Sequence, residues 1–270
     1  MDDELRATGL RPADPVLWLG KRRLGDAERC EGLFDAGLRR EGDPFEHSDR
    51  TASGSLLHGA IETDVATERQ LDPRSLSERA ALRRCQVDPS FERYWSGLGE
   101  FERAELIVEA ARQLSLFRDS FPPLHRRWAP QAELTVRVRL VEGAVVLSGT
   151  PDLQLGRTRR LAIDFKTGGV WPEHPEDMRF YALLLLLRTG VPPYRVTTFF
   201  LDSGEWQAED VTNETLDHAA GRVIASARVA MELRSGRPPR LKPGPYCAWC
   251  PRATTCPASP ARRSEIATGR

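Results

Sequence analysis

Lysine is nearly missing from this chain. Of 39 basic residues only Lys21, Lys166 and Lys242 are lysines, and the other 36 are arginines. Arginine serves wherever a generic positive charge will do, so a lysine here marks a place that wants a compact ammonium. Long apolar runs are also missing. The longest, Phe180 to Leu187, is far short of the roughly 20 residues a membrane helix needs, so no membrane partner is expected. Met1-Asp2-Asp3-Glu4 is acidic where a secretory leader is basic, and no apolar stretch follows it, so the expected location is the cytosol. There is no G-x-x-x-x-G-K-[ST] loop, which excludes a nucleotide motor of that type, and no internal repeat. Net charge is zero, and 40% hydrophobic with 29% charged residues exclude general disorder and a coiled coil. The 270 residues suffice for one large domain or two small ones.

What charge there is lies unevenly. Residues 221–270 hold ten basic side chains against Glu232 and Glu265, a local balance of +8 that the first 220 residues offset. Such a segment suits a polyanion-facing surface, or simply a solvated tail. Five cysteines in a reducing compartment point to a metal or cluster site before disulfides.

Residues 1–25 lack periodicity and read as a loose lead-in. Asp26 is placed to cap a helix reaching about Arg39, with a polar loop over Glu41–Thr51. Ser53 to Glu62 reads as a turn entering a helix, and residues 75–86 and 90–118 are helical by pattern. After Pro122-Pro123 the period changes. Leu134, Val136, Val138 and Leu140 alternate as in a strand, and Val145–Leu155 and Arg160–Lys166 make two more. A buried helix follows at about 175–188, then a strand over Tyr194–Asp202, a hairpin partner near Trp206 and a helix over about 214–235. The fold class is α/β: a mixed sheet flanked by helices.

The most informative stretch is Gly149-Thr-Pro-Asp152 followed by Ile163-Asp164-Phe165-Lys166. Alternation puts Leu161, Ile163 and Phe165 on a core face, and Asp164 with Lys166 on the other. A hairpin centred on Thr158 sets Asp152 opposite Asp164, with Cβ atoms roughly 5 Å apart. Facing carboxylates repel unless something positive lies between them, and a hard divalent cation such as Mg²⁺ or Mn²⁺ resolves this. Lys166 beside them can offset charge on a phosphate. Pro151 fits only at an edge or bulge, so the chain should bend near Asp152. The plain alternative is a surface hairpin with an Asp–Lys ion pair.

Gly149-x-x-Asp152, then Asp164-x-Lys166-Thr167-Gly168, resembles the RecB-type branch of the PD-(D/E)XK nucleases. The resemblance implies a restriction-endonuclease-like core over 26–257, with a helical insertion at about 66–130, a Cys-cluster cap at about 240–257 and a flexible tail over 258–270. It implies that Asp152, Asp164, His58 (from Gly54-Ser-Leu-Leu-His58) and the carbonyl of Phe165 hold metal, and that Lys166 assists catalysis. The helix after the motif commonly carries Gln-x-x-x-Tyr. Here it reads Asp177-Met-Arg-Phe-Tyr181, so Tyr181 carries over, as a substrate or backbone contact or else as core packing, while Asp177 departs. His47, His125, His174 and His218 read as ordinary histidines. Glu62 reads as a solvated partner, and Glu133 as a secondary candidate.

Cys247, Cys250 and Cys256 have the spacing C-x₂-C-x₅-C. Cys30 and Cys85 compete as a fourth ligand, and four thiolates suit zinc as well as an iron–sulfur cluster. The order of motifs resembles the iron–sulfur subgroup, which includes AddB-like and CRISPR-associated adaptation nucleases. That resemblance implies a [4Fe–4S] cluster on Cys30, Cys247, Cys250 and Cys256, and leaves Cys85 a structural thiol. Glu31 replaces the usual proline after the first cysteine. Tyr246 and Trp249 are either single-stranded DNA contacts or packing plugs. The expected activity is Mg²⁺- or Mn²⁺-dependent DNA hydrolysis on single strands or ends, with a helicase or adaptor as a possible partner in trans. The rival is a non-catalytic scaffold of the same fold.

Overall fold

A computed structural model of the chain describes residues 1–260. The tail expected from 258 therefore lies outside the described residues from 261 onward. In chain order the helices and strands are α1 (Asp2–Ala7), β1 (Leu17–Leu19), α2 (Lys21–Arg29), α3 (Glu31–Leu38), α4 (Asp49–Ala66), α5 (Pro73–Val87), α6 (Pro89–Gly97) and α7 (Glu100–Ser120). There follow β2 (Gln131–Ala132), β3 (Val136–Leu140), β4 (Val145–Gly149), β5 (Leu153–Leu155), β6 (Leu161–Lys166), α8 (Glu173–Thr189), β7 (Arg195–Phe200), β8 (Trp206–Asp210) and α9 (Asn213–Arg234).

Where the sequence suggests one domain over 26–257, contacts sort the chain into two units. Among the described residues, the first holds Met1–Pro44, Val136–Gly149 and residues 212–260; the second holds Phe45–Thr135 and Thr150–Val211.

The second unit is built on a five-stranded sheet in the order β2-β5-β6-β7-β8. β6 and β7 run parallel, so the chain must cross over between them, and α8 makes that crossing. The other pairs are antiparallel. α4, α5 and α7 pack on one face, where Leu56, Leu57, Leu76, Leu114, Phe117 and Phe121 meet Ile163, Phe165 and Phe199. Each fully buried Leu or Phe contributes about 1.5–3 kcal/mol. Phe121 lies edge-on to Phe165 at 5.6 Å and to Phe199 at 5.2 Å, a favourable aromatic geometry. Ala162 and Asp164 point to the opposite face and are buried too, beside α8. The helices start where their caps say they should. Ser48 caps α4 with Thr51 in a capping box, and Asp72 and Asp88 cap α5 and α6 ahead of prolines.

The first unit has a three-stranded sheet, β1-β4-β3, with β1 parallel to β4. α9 packs on α1, α2 and α3. Arginines of the basic C-terminal segment are spent on acids near the N-terminus. Arg222 pairs with Glu28 at 2.5 Å, Arg237 with Glu31 at 2.9 Å, and Arg252 with both Asp35 at 2.8 Å and Glu41 at 2.6 Å. These arginines serve to fasten two distant stretches of chain, which draws on the charge expected for a polyanion surface.

Several expectations need correcting. Residues 1–25 are not a loose lead-in but supply α1, β1 and most of α2, with Leu5, Leu10, Leu17, Leu19 and Leu24 buried. The helix expected over 26–39 breaks at Cys30, whose backbone is extended. The helix expected over 90–118 breaks at Leu98, where Glu102 accepts from the Gly99 N–H and restarts it. The strand expected over 145–155 is two strands in different sheets, divided at Thr150–Asp152, where Pro151 cannot donate to a ladder.

Candidate functional site

The site lies in the second unit and begins with the β5–β6 hairpin. Leu153 pairs with Ile163 and Leu155 with Leu161, which is the register expected from the sequence and sets Asp152 across from Asp164. Asp152 is buried, and each of its oxygens has a different task. Oδ2 accepts the Phe165 N–H at 2.5 Å, and Oδ1 faces Nδ1 of His58 at 3.3 Å. The contact Phe165 makes here is through its amide, whereas the sequence reading assigned its carbonyl to a metal.

His58 comes from α4. Positions 52, 56, 57, 60 and 61 of that helix are buried in the core, which leaves Arg50, Gly54, His58 and Glu62, four residues apart, along its accessible face. His58 Nδ1 also lies 3.7 Å from Oε1 of Glu133. Glu133 directly follows β2, and its N–H donates to the Asp152 carbonyl at 2.9 Å. Its φ of +50° is left-handed, unusual for a residue with a side chain and a strain that functional sites tend to hold. His58, Glu133 and Asp152 thus offer three ligand atoms within 4.8 Å of one another, the one such group among the described residues. One imidazole nitrogen and two carboxylate oxygens suit a divalent cation of the Mg²⁺ or Mn²⁺ class.

Sequence reading undervalued Glu133. Its signal is the pairing of Ala132 with Leu153, which places position 133 opposite 152. That pairing rests on a two-residue strand with no hydrophobic pattern to announce it. Asp164, by contrast, stands outside the three-residue group. Lys166, two residues on along the same strand face, holds its Oδ2 at 2.5 Å.

Electrostatics follow from this crowding. Burial works against a charge on His58, but Asp152 and Glu133 overcome it and lift the pKa from 6.5 to about 10. Burial pushes the Asp152 carboxyl above its usual range, and Asp164 and Glu133 add to this while His58 opposes it. Without a cation the His58 imidazole is held in its protonated form beside the two acids, and a bound cation would take the place of that proton.

Tyr181 is buried, and its hydroxyl donates to the Thr150 carbonyl at 2.9 Å. Of the alternatives open in the sequence, this is the backbone contact: Tyr181 fixes the bend leading into Asp152. Glu62 pairs with Arg83 at 2.9 Å. His174 is buried at the start of α8, where burial and the nearby Lys166 hold its pKa below the usual value.

The cysteines gather in the first unit. Cys30, Cys247, Cys250 and Cys256 line one small cavity, with Tyr246 and Lys242 beside them. Burial raises the Cys250 thiol, and the other three cysteines add to the shift. Glu31, next to Cys30, accepts from the Arg240 N–H at 2.7 Å and from Arg237, tying the C-terminal segment to the start of α3. Tyr246 donates to backbone carbonyls of Arg29 and Lys242, as a packing plug does, while Trp249 is exposed. Cys85 lies on α5, away from this group in the sequence and in the other unit.

A family model of the PD-(D/E)XK nuclease superfamily matches residues 23–257. No curated protein matches the chain. Among solved structures, a protein of Eubacterium rectale named as a candidate exonuclease is similar at 8% identity and a TM-score of 0.49, over 96% of this chain and 90% of that one. The structure named SSO0001 is similar at 13% identity and a TM-score of 0.35, over 85% of this chain and 93% of that one. No described helix is long and apolar enough to cross a membrane.

Proposed function

Because the chain belongs to the PD-(D/E)XK nuclease superfamily, we propose that it hydrolyses DNA phosphodiesters with Mg²⁺ or Mn²⁺ held at His58, Glu133 and Asp152. The observation that carries this reading is the convergence of those three groups beside the Asp164–Lys166 pair. When bound, a divalent cation supplies an acidified water and a counter-charge for the phosphate. Asp152, braced by the Phe165 N–H, would hold the cation together with His58 and Glu133. Lys166, held by Asp164, aims its ammonium at the incoming phosphate, orients the attacking water and offsets the charge that develops on the phosphoryl oxygens. Tyr181 keeps the Thr150 carbonyl, and with it Asp152, in place.

The substrate this reading favours is single-stranded DNA or DNA ends, in repair, recombination or defence, in the cytosol, with a helicase or adaptor in trans. To the four cysteines that line one cavity this reading assigns a [4Fe–4S] cluster, with tetrahedral zinc as the alternative. The test is an anaerobic assay with labelled single- and double-stranded DNA and Mn²⁺. Wild type should yield products and Lys166→Ala should not. Equal absence of products from both on every substrate would overturn the reading.

A further inference from the structure

We propose that two arginines on either side of the metal group, Arg50 and Arg84, grip the backbone phosphates of a DNA strand lying along α4. The inference rests on the nuclease reading and extends it to the substrate track. Two arginines of the same helical layer are already engaged, Arg83 with Glu62 at 2.9 Å and Arg118 with Asp64 at 2.5 Å. Arg50 and Arg84 differ, since among the described residues neither guanidinium makes an ion pair or a hydrogen bond. Positive charge left available beside the carboxylates of the metal group points to an anionic ligand from outside.

Geometry places both along one path. Arg84 is half-buried on α5 and lines a cavity of about 230 Å³ together with Glu133, Gly59, Thr135 and Thr150. Glu133 is one of the three metal-group residues, so this cavity opens directly beside the centre. Arg84 packs close on Gly59, where a Cβ would stand 3.2 Å from its Nε, a tight contact. At the other end, Arg50 Nη2 lies 3.6 Å from where a Cβ of Gly168 would stand, two residues beyond Lys166. Arg50, Gly54 and His58 are spaced by four along the accessible face of α4, and nothing lies within 4 Å of a Cβ at Gly54, so the face between them is open. From Arg50 to His58 is about 12 Å along the helix, a few nucleotide steps. A strand on this path has its reacting phosphate at the metal group and flanking phosphates at Arg50 and Arg84. Phosphate contacts set register without reading sequence, as suits a nuclease that acts on many sequences.

The test is fluorescence anisotropy with a fluorescein-labelled single-stranded DNA and the full chain, in Ca²⁺ to suppress cleavage, over a series of salt concentrations. Arg84→Ala and Arg50→Ala should each weaken binding several-fold and lower the salt slope by about 0.7, the value of one phosphate contact on a single strand. Arg84→Lys and Arg50→Lys should restore the slope, because charge and not shape sets it. Mn²⁺ affinity should be unchanged in all four variants. Slopes equal to wild type in the alanine variants, with wild type still binding and cleaving, overturn this inference alone. A wild type that binds no DNA overturns the nuclease reading and this inference together. A loss of Mn²⁺ affinity in Arg84→Ala overturns the inference by making Arg84 a support for the metal group.

Discussion

Glu133 donates its backbone N–H to the carbonyl of Asp152 at 2.9 Å, and both residues turn their carboxylates toward His58. One main-chain bond therefore sets the spacing of two acids that come from separate strands. Removing the Glu133 charge should then weaken the cation site without disturbing Asp152. Glu133→Gln should lower Mn²⁺ affinity by about 10–100-fold, the range seen when a carboxylate supporting a metal site is lost. Isothermal titration with Mn²⁺ checks this, and an unchanged affinity would remove Glu133 from the site.

His58 makes the stability of the metal-free protein depend on pH. Its folded pKa, about 10, lies above the ordinary 6.5, so the folded state holds this proton more tightly than the unfolded state. The contribution is complete below about pH 6.5 and is lost as pH rises through about 10. In EDTA, the melting temperature should fall between pH 7 and 10, and His58→Gln should flatten that fall. Near neutral pH, Mn²⁺ binding should release a proton, seen as a buffer-dependent heat of binding.

Much of this site can be read from the sequence, and the limits have physical causes. Strand alternation and the short polar turn fix the β5–β6 register, so Asp152 and Asp164 face each other as expected. The placement of His58, which in the sequence only the family resemblance implies, comes from α4 packing its apolar face on the sheet. Glu133 is harder to read because its position depends on β2, two residues long, and on a left-handed φ that no glycine signals. The breaks at Cys30 and Leu98 escape pattern reading because apolar periodicity runs through both. The lead-in is misread for another reason: its leucines are buried by elements far along the chain, which a local window cannot see.

Asp64 is almost fully buried on α4, with Arg118 at 2.5 Å and Arg69 at 3.8 Å. Arg118→Met leaves this carboxylate with only its more distant partner. Stability measured by urea unfolding should fall by roughly 3 kcal/mol, the lower end for a broken buried pair, because Arg69 remains. A change below about 0.5 kcal/mol, the size of a plain surface substitution, would show that the pair carries little.

Cys30→Ala should abolish the brown visible absorption of anaerobically purified protein, and Cys85→Ala should preserve it. Colour lost only in the Cys85 variant would reassign the fourth ligand. Zinc and no iron on elemental analysis of wild type would replace the cluster with a tetrahedral site.

The account stands on the binding of one divalent cation by His58, Glu133 and Asp152. The direct measurement is a Mn²⁺ titration followed by electron paramagnetic resonance, comparing wild type with Asp152→Asn at neutral pH. Wild type should show a saturable bound-Mn²⁺ signal that Asp152→Asn loses while still unfolding in one cooperative transition. Equal binding by both proteins, or none by wild type, would contradict the account.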